Sequence, residues 1–288
     1  MPALTRKFTL SDLRAARASG EKLAMLTCYD FTTARVMQDA GIPMLLVGDS
    51  AANVILGHDT TVSAPLRFMI DITAAVRRGA PFSLVVADMP FGSYGGQIAR
   101  TLGFRNVVRM MKLSGADCVK MEVGAEHTSL IQELSGIGVG VIAHLGLRPQ
   151  AIGLLGGYKV RGRTADEANA LVALALEMQT AGAAAILLEA VPPEVSARIV
   201  EAVSIPVIGC GAGPACHAHV IVTQDGVGLT SASAGQKPRF VPNLGDLSQP
   251  MKEMFGQYVN QIRSGAYPAP QHNYEMPAEE KTKFLRRA

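Results

Sequence analysis

Three acidic residues, Asp49, Asp88 and Glu122, each stand at the end of a short apolar run. If these runs are neighbouring strands, the three carboxylates converge without a cluster of arginines to compensate their charge. A hard divalent cation is the simplest way to offset the repulsion, and oxygen-only ligands favour Mg²⁺ or Mn²⁺ over zinc. Each acid alone is equally well explained as a helix N-cap or a solvated loop residue. The prediction of a cation site therefore depends on the set of three.

Lys120 precedes Glu122 by two residues, so on a strand both side chains point to the same side. A lysine beside a bound cation suits an anionic substrate group such as a carboxylate. The alternative is a buried ion pair between Lys120 and Glu122, which would leave Asp49 and Asp88 without an evident partner. The pattern favours a site for a small acid next to a cation.

Glu189 and His144 stand at the ends of two further apolar runs. Glu189 is separated in sequence from the other acids and is placed to act as an acid or a base. His144 is either a satisfied strand-end histidine or a hydrogen-bond donor to a substrate oxygen. The glycine-rich segment 146–163 shows no clear period, and a stretch of this length in a compact domain is typical of an active-site loop.

The elements that must position these residues are eight short runs rich in Val, Ile and Leu. Each run is apolar throughout, as strands covered on both faces are, and segments of helical period lie between them. Eight such units in 288 residues predict an α/β fold, a single (β/α)8 TIM barrel, whose active site lies at the C-terminal ends of the strands. An open doubly wound sheet is the alternative, but no G-x-G-x-x-G follows the first strand. The predicted strands are 23–27, 44–47, 83–87, 118–121, 140–145, 184–188, 206–208 and 220–223.

Helix signals and the lack of an internal linker indicate one domain over residues 1–288. Asp30 is a plausible N-cap for a helix over 31–40, and Thr164 with Glu167 has capping-box spacing. An N-terminal segment, 1–22, contains a short helix over 11–19 that we expect at the barrel floor, and we expect the polar tail 268–288 to be partly disordered. The strongest amphipathic stripe follows Ser248 and consists of Met251, Met254, Phe255, Tyr258, Val259 and Ile262.

Composition excludes several classes of protein. With 48% hydrophobic and 18% charged residues the chain can bury a sizeable core, which excludes disorder. The net charge of +3 without a long basic run argues against a nucleic-acid partner. Four scattered cysteines without a C-x-x-C pair are typical of reduced thiols. No signal peptide and no run long enough to span a bilayer is evident, so we expect a cytoplasmic protein without a membrane partner.

Nine short strings stand at or near the predicted strand ends: CYDFTTA, LLVGDSAANVILGHDTT, AAVRRGAP, VVADMPFGSY, CVKMEVG, HLGLRPQ, GGYKVRGR, LLEAVP and PVIGCGAG. In this order, over about residues 23–270, they resemble ketopantoate hydroxymethyltransferase, also called 3-methyl-2-oxobutanoate hydroxymethyltransferase. The resemblance implies a barrel of the phosphoenolpyruvate mutase/isocitrate lyase type.

The resemblance also implies roles for individual residues. Asp49 and Asp88 match the magnesium-binding aspartates, and Glu122 matches the third acid of the metal site. Glu189 matches the proposed proton acceptor. The positions that bind the 2-oxo acid match Asp49, Ser50, Asp88 and Lys120, and His144 lines the same pocket.

The reaction that the resemblance implies leads to pantothenate and coenzyme A. A hydroxymethyl group passes from 5,10-methylenetetrahydrofolate to 3-methyl-2-oxobutanoate, through an enolate that Mg²⁺ stabilises. Glu189 would remove the proton next to the ketone, and the metal would stabilise the charge that develops. Family members assemble as homo-oligomers, commonly decamers, so we expect the same here.

Some positions depart from the family pattern. Val123, Arg148 and Ala190 replace common residues without removing a proposed ligand or base, whereas the stretch 215–225, ACHAHVIVTQD, departs more and bears on the last two loops. Two alternative functions are a related Mg-dependent 2-oxo-acid lyase and a non-catalytic paralogue that binds a 2-oxo acid. The GGYKVRG and LLEAVP strings favour the transferase over the lyase, and the intact acids argue against the paralogue.

Overall fold

The chain folds into a closed barrel of eight parallel strands, as the apolar runs predict. The computed structural model describes residues 3–95, 97–230 and 237–286, apart from the side chains of 97–100 and 155. Each strand pairs with the next along the chain, and the last pairs with the first. The strands are β1 Leu23–Thr27, β2 Met44–Val47, β3 Leu84–Asp88, β4 Cys118–Glu122, β5 Val141–Gly146, β6 Ala185–Glu189, β7 Val207–Cys210 and β8 Ala218–Ile221.

Helices connect the strands, and local signals in the sequence set where several of them begin. Asp30 accepts a hydrogen bond from Thr33 N at 2.8 Å, and Thr164 accepts one from Glu167 N at 3.2 Å, which confirms both residues as N-caps. The capping box is not completed, because Glu167 Oε2 accepts from the N–H groups of Gly162 and Arg163 instead. Three-residue 3₁₀ turns lie at Thr61–Ser63, Ala125–His127, Pro149–Ala151 and Pro270–His272. The described helices are α1 Leu10–Ser19, α2 Phe31–Asp39, α3 Ala51–Val54, α4 Leu66–Gly79, α5 Gln97–Ser114, α6 Thr128–Gly136, α7 Ile152–Leu155, α8 Ala165–Thr180, α9 Pro193–Ala202, α10 Thr223–Gly226, α11 Ser248–Ser264 and α12 Ala278–Leu285.

Two apolar cores stabilise the barrel. The larger one lies between the strands and the surrounding helices, and the smaller one fills the barrel interior with side chains such as Met25, Met44 and Leu84. Leu13 and Ala16 of α1 belong to the interior core, so α1 closes the barrel floor. A filled interior and a closed floor leave the C-terminal ends of the strands as the open mouth.

The last strand begins and ends two residues earlier than the predicted range of 220–223. Its first residues pair with β1 although one of them is a histidine. Thr223 leaves the strand because its backbone N–H donates to Thr27 Oγ1 at 2.9 Å and its hydroxyl donates to the Thr27 carbonyl at 2.6 Å. The divergent stretch 215–225 therefore supplies β8 and the start of α10.

The C-terminal helices are exposed. The predicted stripe lies on α11, but no residue of this helix is buried, and Phe255 is 62% exposed. Within the tail 268–288, where the sequence predicts partial disorder, the structure has α12, on which Lys283 and Glu280 form an ion pair at 2.7 Å. Residues 287–288 lie outside the described range. Among the described helices, none combines the length and the apolar character that crossing a membrane requires.

Candidate active site

The C-terminal ends of the strands surround an acidic cavity of about 130 Å³. Strand register explains how distant residues meet there, since Asp88 pairs with Lys120 on the neighbouring strand and Glu122 pairs with His144. The structure brings together all seven residues that the sequence analysis selected. They are Asp49, Ser50, Asp88, Lys120, Glu122, His144 and Glu189.

Asp49, Asp88 and Lys120 form a buried charged cluster. Asp88 Oδ1 lies 2.9 Å from Lys120 Nζ, and the Asp49 backbone N–H donates to Asp88 Oδ2 at 3.0 Å. Burial raises the pKa of Asp88. The positive charge of Lys120 lowers this pKa, and the negative charge of Asp49 raises it. Although burial opposes it, the charges of Asp88, Asp49 and Glu122 raise the pKa of Lys120. Lys120 is therefore a buried cation at neutral pH.

Gln150 connects two of the acids from the predicted active-site loop. Its side-chain Nε2 donates to Asp49 Oδ2 at 2.8 Å, and its backbone N–H donates to Glu122 Oε2 at 3.1 Å. The Tyr94 hydroxyl accepts from the Glu122 backbone N–H at 2.8 Å and lies 3.1 Å from Gln150 Oε1. Burial raises the pKa of Glu122 to about 8, with Asp49 and Asp88 acting in the same direction and Lys120 opposing them. The acids are thus crowded enough to disfavour full ionisation.

His144 lies between Lys120 and Glu189. Its Nδ1 is 3.2 Å from Lys120 Nζ, and because an ammonium can only donate, Nδ1 accepts and the ring proton resides on Nε2. Burial, with the charge of Lys120, lowers the pKa of His144, so the ring is neutral. Nε2 lies 3.3 Å from Glu189 Oε2. The imidazole therefore presents an N–H group beside the predicted base.

The backbone around Glu189 is tightly held. Its carbonyl accepts from Leu147 N at 2.8 Å, and a Cβ atom added to Gly146 would lie 2.3 Å from that same oxygen. Ala190 adopts a left-handed conformation, with φ of 48°, while its N–H donates to the Cys210 carbonyl at 2.9 Å. This conformation costs an alanine roughly 1–2 kcal/mol. The neighbouring contacts hold a strained turn that directs the Glu189 side chain, 20% exposed, toward the mouth.

Three buried polar atoms of the cavity form no well-aligned hydrogen bond within the described residues. Thr61 Oγ1 has no partner there, whereas Asp88 Oδ1 faces Lys120 Nζ at 2.9 Å and His144 Nε2 faces Glu189 Oε2 at 3.3 Å. A buried polar atom without a hydrogen bond costs about 1–3 kcal/mol, so this group of atoms is suited to binding a polar ligand. The hydroxyl and the imidazole N–H can donate to acceptor oxygens of such a ligand.

Sequence reasoning missed three residues of the site: Thr61 and Asp225, which line the cavity, and Gln150, whose side chain donates to Asp49. Thr61 and Gln150 lie within the strings LLVGDSAANVILGHDTT and HLGLRPQ, but neutral side chains in turns carry no spacing signal of their own. Asp225 lies in the divergent stretch and accepts from the Thr230 hydroxyl at 2.5 Å. Thr61 and Gln150 could have been found from the strings that carry the family resemblance, since both lie within them.

The residues present fit a divalent cation through two aspartates. No group of three or more His, Cys, Asp or Glu side chains within the described ranges is arranged to hold a metal ion. Asp49 and Asp88 nevertheless offer buried carboxylate oxygens: Asp88 Oδ1 faces Lys120 Nζ, and Asp49 Oδ2 accepts from the Gln150 side chain. Glu122 accepts from the Gln150 backbone N–H. Mg²⁺ usually takes one or two protein carboxylates and completes its shell with water and substrate oxygens. The donor set suits that mode of binding.

Solved structures share the fold at low sequence identity. Phosphonopyruvate hydrolase aligns with a TM-score of 0.60 at 13% identity, covering 97% of each chain. A 2,3-dimethylmalate lyase of the PEP mutase/isocitrate lyase superfamily aligns with a TM-score of 0.56 at 16% identity, covering 96% of this chain and 98% of the lyase. The closed barrel and its acidic mouth define the class: a (β/α)8 barrel with its candidate active site at the C-terminal ends of the strands, sharing its fold with these two proteins.

Sequence comparison defines the family within that class. Residues 7–270 match the model of ketopantoate hydroxymethyltransferase, and the chain belongs to this enzyme family. It is 46% identical over 279 residues to the 3-methyl-2-oxobutanoate hydroxymethyltransferase of Frankia alni, covering 95% of this chain and 90% of that protein. The enzyme of the same name from Mycobacterium sp. (strain KMS) is 44% identical over 268 residues, covering 93% of each chain. The predicted resemblance is confirmed.

Proposed function

We propose that the chain transfers a hydroxymethyl group from 5,10-methylenetetrahydrofolate to 3-methyl-2-oxobutanoate, giving 2-dehydropantoate (ketopantoate) for pantothenate and coenzyme A biosynthesis. The carrying observation is that one cavity holds a buried ammonium, the Thr61 hydroxyl, the N–H group of His144 and the partly exposed carboxylate of Glu189. A 2-oxo acid supplies the negative charge and acceptor oxygens that this set requires. The names of the 41–46% identical relatives support the same acceptor.

Binding of the acceptor uses Lys120, Thr61 and His144. Lys120 offsets the charge of the substrate carboxylate, and its burial strengthens that interaction. Thr61 Oγ1, which has no partner among the described residues, and His144 Nε2 donate to substrate oxygens. Because His144 Nε2 lies 3.3 Å from Glu189 Oε2, an oxygen bound by this N–H holds the adjacent carbon near the carboxylate.

Glu189 is the base in the first step. Its carboxylate takes the proton from C3, and the electron pair of the broken C–H bond forms the enolate. Lys120 and the N–H of His144 face the oxygens on which negative charge increases, so both stabilise the enolate more than the ground state. The neutral state of His144 keeps it from protonating Glu189.

Carbon–carbon bond formation completes the transfer. The enolate C3 attacks the methylene carbon of the folate, and the two bonds from that carbon to the folate nitrogens are replaced by bonds to C3 and to the oxygen of a water molecule. The C3 proton and the remaining water proton end on the two nitrogens. The products are ketopantoate and tetrahydrofolate, with no change in the number of electrons.

Asp49 and Asp88 would hold a Mg²⁺ ion in this proposal, with Glu122 nearby on the Gln150 N–H. When bound, the ion supplies charge stabilisation to the keto oxygen and orients the 2-oxo acid. The burial of both aspartates next to each other supports this assignment. Lys120 lies against Asp88 Oδ1 at 2.9 Å and offsets one of the negative charges, and a small divalent cation would offset the others.

A homo-oligomer in the cytoplasm is part of the proposal. The exposed apolar stripe of α11 supports self-association, because contiguous exposed apolar patches are uncommon on monomers. The size that we propose for the assembly is the decamer expected from the family resemblance.

Proton NMR of 3-methyl-2-oxobutanoate in D₂O tests the proposal. Protein with Mg²⁺ should remove the C3 proton signal, and addition of 5,10-methylenetetrahydrofolate should then give ketopantoate. Exchange without product would contradict the folate acceptor step, and folate-independent cleavage of a 2-oxo acid would favour a lyase. A folded, Mg²⁺-loaded protein that gives neither exchange nor product would contradict catalysis altogether.

A further inference from the structure

A second cavity adjoins the acidic one at Glu189. It has a volume of about 740 Å³, within the range of roughly 300–1,000 Å³ of small-molecule sites. The two cavities share Glu189, Pro238 and Phe240. We call the second cavity the donor compartment; its walls include Leu147, Tyr158, Lys159, Val160, Val191, Pro192, Pro193 and Arg239.

The acidic cavity is too small for both reactants. Its volume of about 130 Å³ is below the lower bound of roughly 300 Å³ for drug-sized ligands and suits a small acid alone. The proposed reaction forms a bond to the carbon that Glu189 deprotonates. The donor must therefore occupy a space that opens onto Glu189.

We propose that the donor compartment binds the folate co-substrate, with the fused ring near Glu189 and the anionic tail on Lys159 and Arg239. This inference rests on the proposed function. Tyr158, Phe240 and the proline rings provide apolar surface for a flat heteroaromatic ring. Lys159 and Arg239 form no ion pair with the described residues, and Glu189 is the sole acidic residue among those described in the wall.

A third cavity is the alternative place for the donor. It has a volume of about 500 Å³ and includes Tyr94, Arg148 and Gln150. It meets the acidic cavity at Glu122, whose carboxylate is already bound to the Gln150 N–H at 3.1 Å. A donor there would approach from the metal-binding acids and not from the base. The donor compartment is favoured because Glu189, the proposed base, lies in its wall and not in the wall of the third cavity.

Two kinds of variant test the assignment. Val160→Trp fills the compartment at a position that is 50% exposed, and the double variant Lys159→Ala/Arg239→Ala removes both cations. Arg163→Ala, an exposed cation outside the wall, is the matched control, and Arg148→Ala tests the third cavity. All four variants should retain Mg²⁺-dependent deuterium exchange into 3-methyl-2-oxobutanoate, because that step needs no folate.

Binding of tetrahydrofolate and the KM for 5,10-methylenetetrahydrofolate are the readouts. We expect the double variant to weaken binding roughly tenfold, since it removes two solvent-exposed ion pairs with the anionic tail. It should not change binding of 6-methyltetrahydropterin, which lacks the tail, whereas Val160→Trp should weaken binding of both ligands.

These measurements distinguish failure of the proposed function from failure of the donor-compartment assignment. Absence of product with the parent protein, measured first, overturns the proposed function. Product from the parent together with unchanged tetrahydrofolate binding in both compartment variants overturns the assignment alone. A loss confined to Arg148→Ala would place the donor in the third cavity.

Discussion

Lys120 Nζ lies 3.2 Å from His144 Nδ1, and this contact determines which imidazole nitrogen carries the proton. The N–H on the opposite side of the ring faces Glu189. A lysine on β4 thus sets the hydrogen-bonding role of a histidine on β5, next to a base on β6. The N–H group that can bind substrate is therefore Nε2–H. Amide side chains that place a nitrogen at one or the other ring position test this assignment.

His144→Gln and His144→Asn separate the two ring nitrogens. A glutamine amide reaches the position of Nε2, whereas an asparagine amide reaches that of Nδ1. We therefore expect deuterium exchange to fall roughly tenfold in His144→Gln and 100-fold or more in His144→Asn, within the range for groups that assist proton transfer. Equal or better exchange in His144→Asn would contradict a role for Nε2. Thermal melting of both variants controls for folding.

Glu189→Gln should abolish proton removal, because the amide cannot accept the C3 proton. We expect a loss of about 10²–10⁴ in the exchange rate, with binding of Mg²⁺ and of 3-methyl-2-oxobutanoate largely retained. NMR exchange and calorimetric titration measure the two effects separately. Glu194→Gln on α9, an exposed acid near in sequence, is the matched control. Exchange at the parent rate in Glu189→Gln would assign the base to another residue.

Asp49→Asn should weaken Mg²⁺-dependent binding of the 2-oxo acid. The amide keeps the shape of the side chain but removes a charge from the proposed cation site, and we expect roughly a 10- to 100-fold rise in the Mg²⁺ concentration at half-saturation. Asp59→Asn, an exposed change outside the cavity, should leave the titration unchanged. An Asp49→Asn titration that overlays the parent curve would remove the residue from the metal site.

Stability of the metal-free protein should fall as the pH rises from 6 to 8. Burial raises the pKa of Glu122 to about 8, above the unfolded value of about 4.3, so the folded state holds a proton that the unfolded state has lost. This contribution is fully present below pH 4.3 and is lost as the pH rises through 8. Between pH 6 and 8 we expect a decrease of about 2 kcal/mol in the free energy of unfolding.

Urea denaturation at the two pH values measures this decrease. Glu122→Gln should reduce it because the amide does not titrate. Mg²⁺ should stabilise the parent more at pH 8 than at pH 6, since ionised carboxylates bind the cation better. A pH dependence that survives Glu122→Gln unchanged would assign the effect to other groups.

Phe255→Asp/Tyr258→Asp should lower the molecular mass of the assembly, because both side chains belong to the exposed stripe on α11. Charges on an apolar contact surface carry a desolvation cost upon association. Sedimentation velocity measures the mass, and Gln257→Asp on the same helix is the control. An unchanged mass would indicate that the stripe does not mediate assembly.

The sequence predicts charged residues of the site better than neutral ones. Asp88 and Lys120 could be placed at the mouth because apolar runs reveal strands, and parallel strands bring their ends together. Gln150 contacts Asp49 across 101 positions of sequence, and no local pattern encodes so distant a hydrogen bond. The α11 stripe shows a second limit: helical period predicts an apolar face but not what covers it.

The close approach of Gly146 to the Glu189 carbonyl constrains how this family can diverge. Any side chain at position 146 would collide with the backbone that carries the base, and its φ of 91° already disfavours other residues. A substitution at position 146 would therefore act on catalysis without touching the substrate, because it would displace the backbone from which the Glu189 side chain extends.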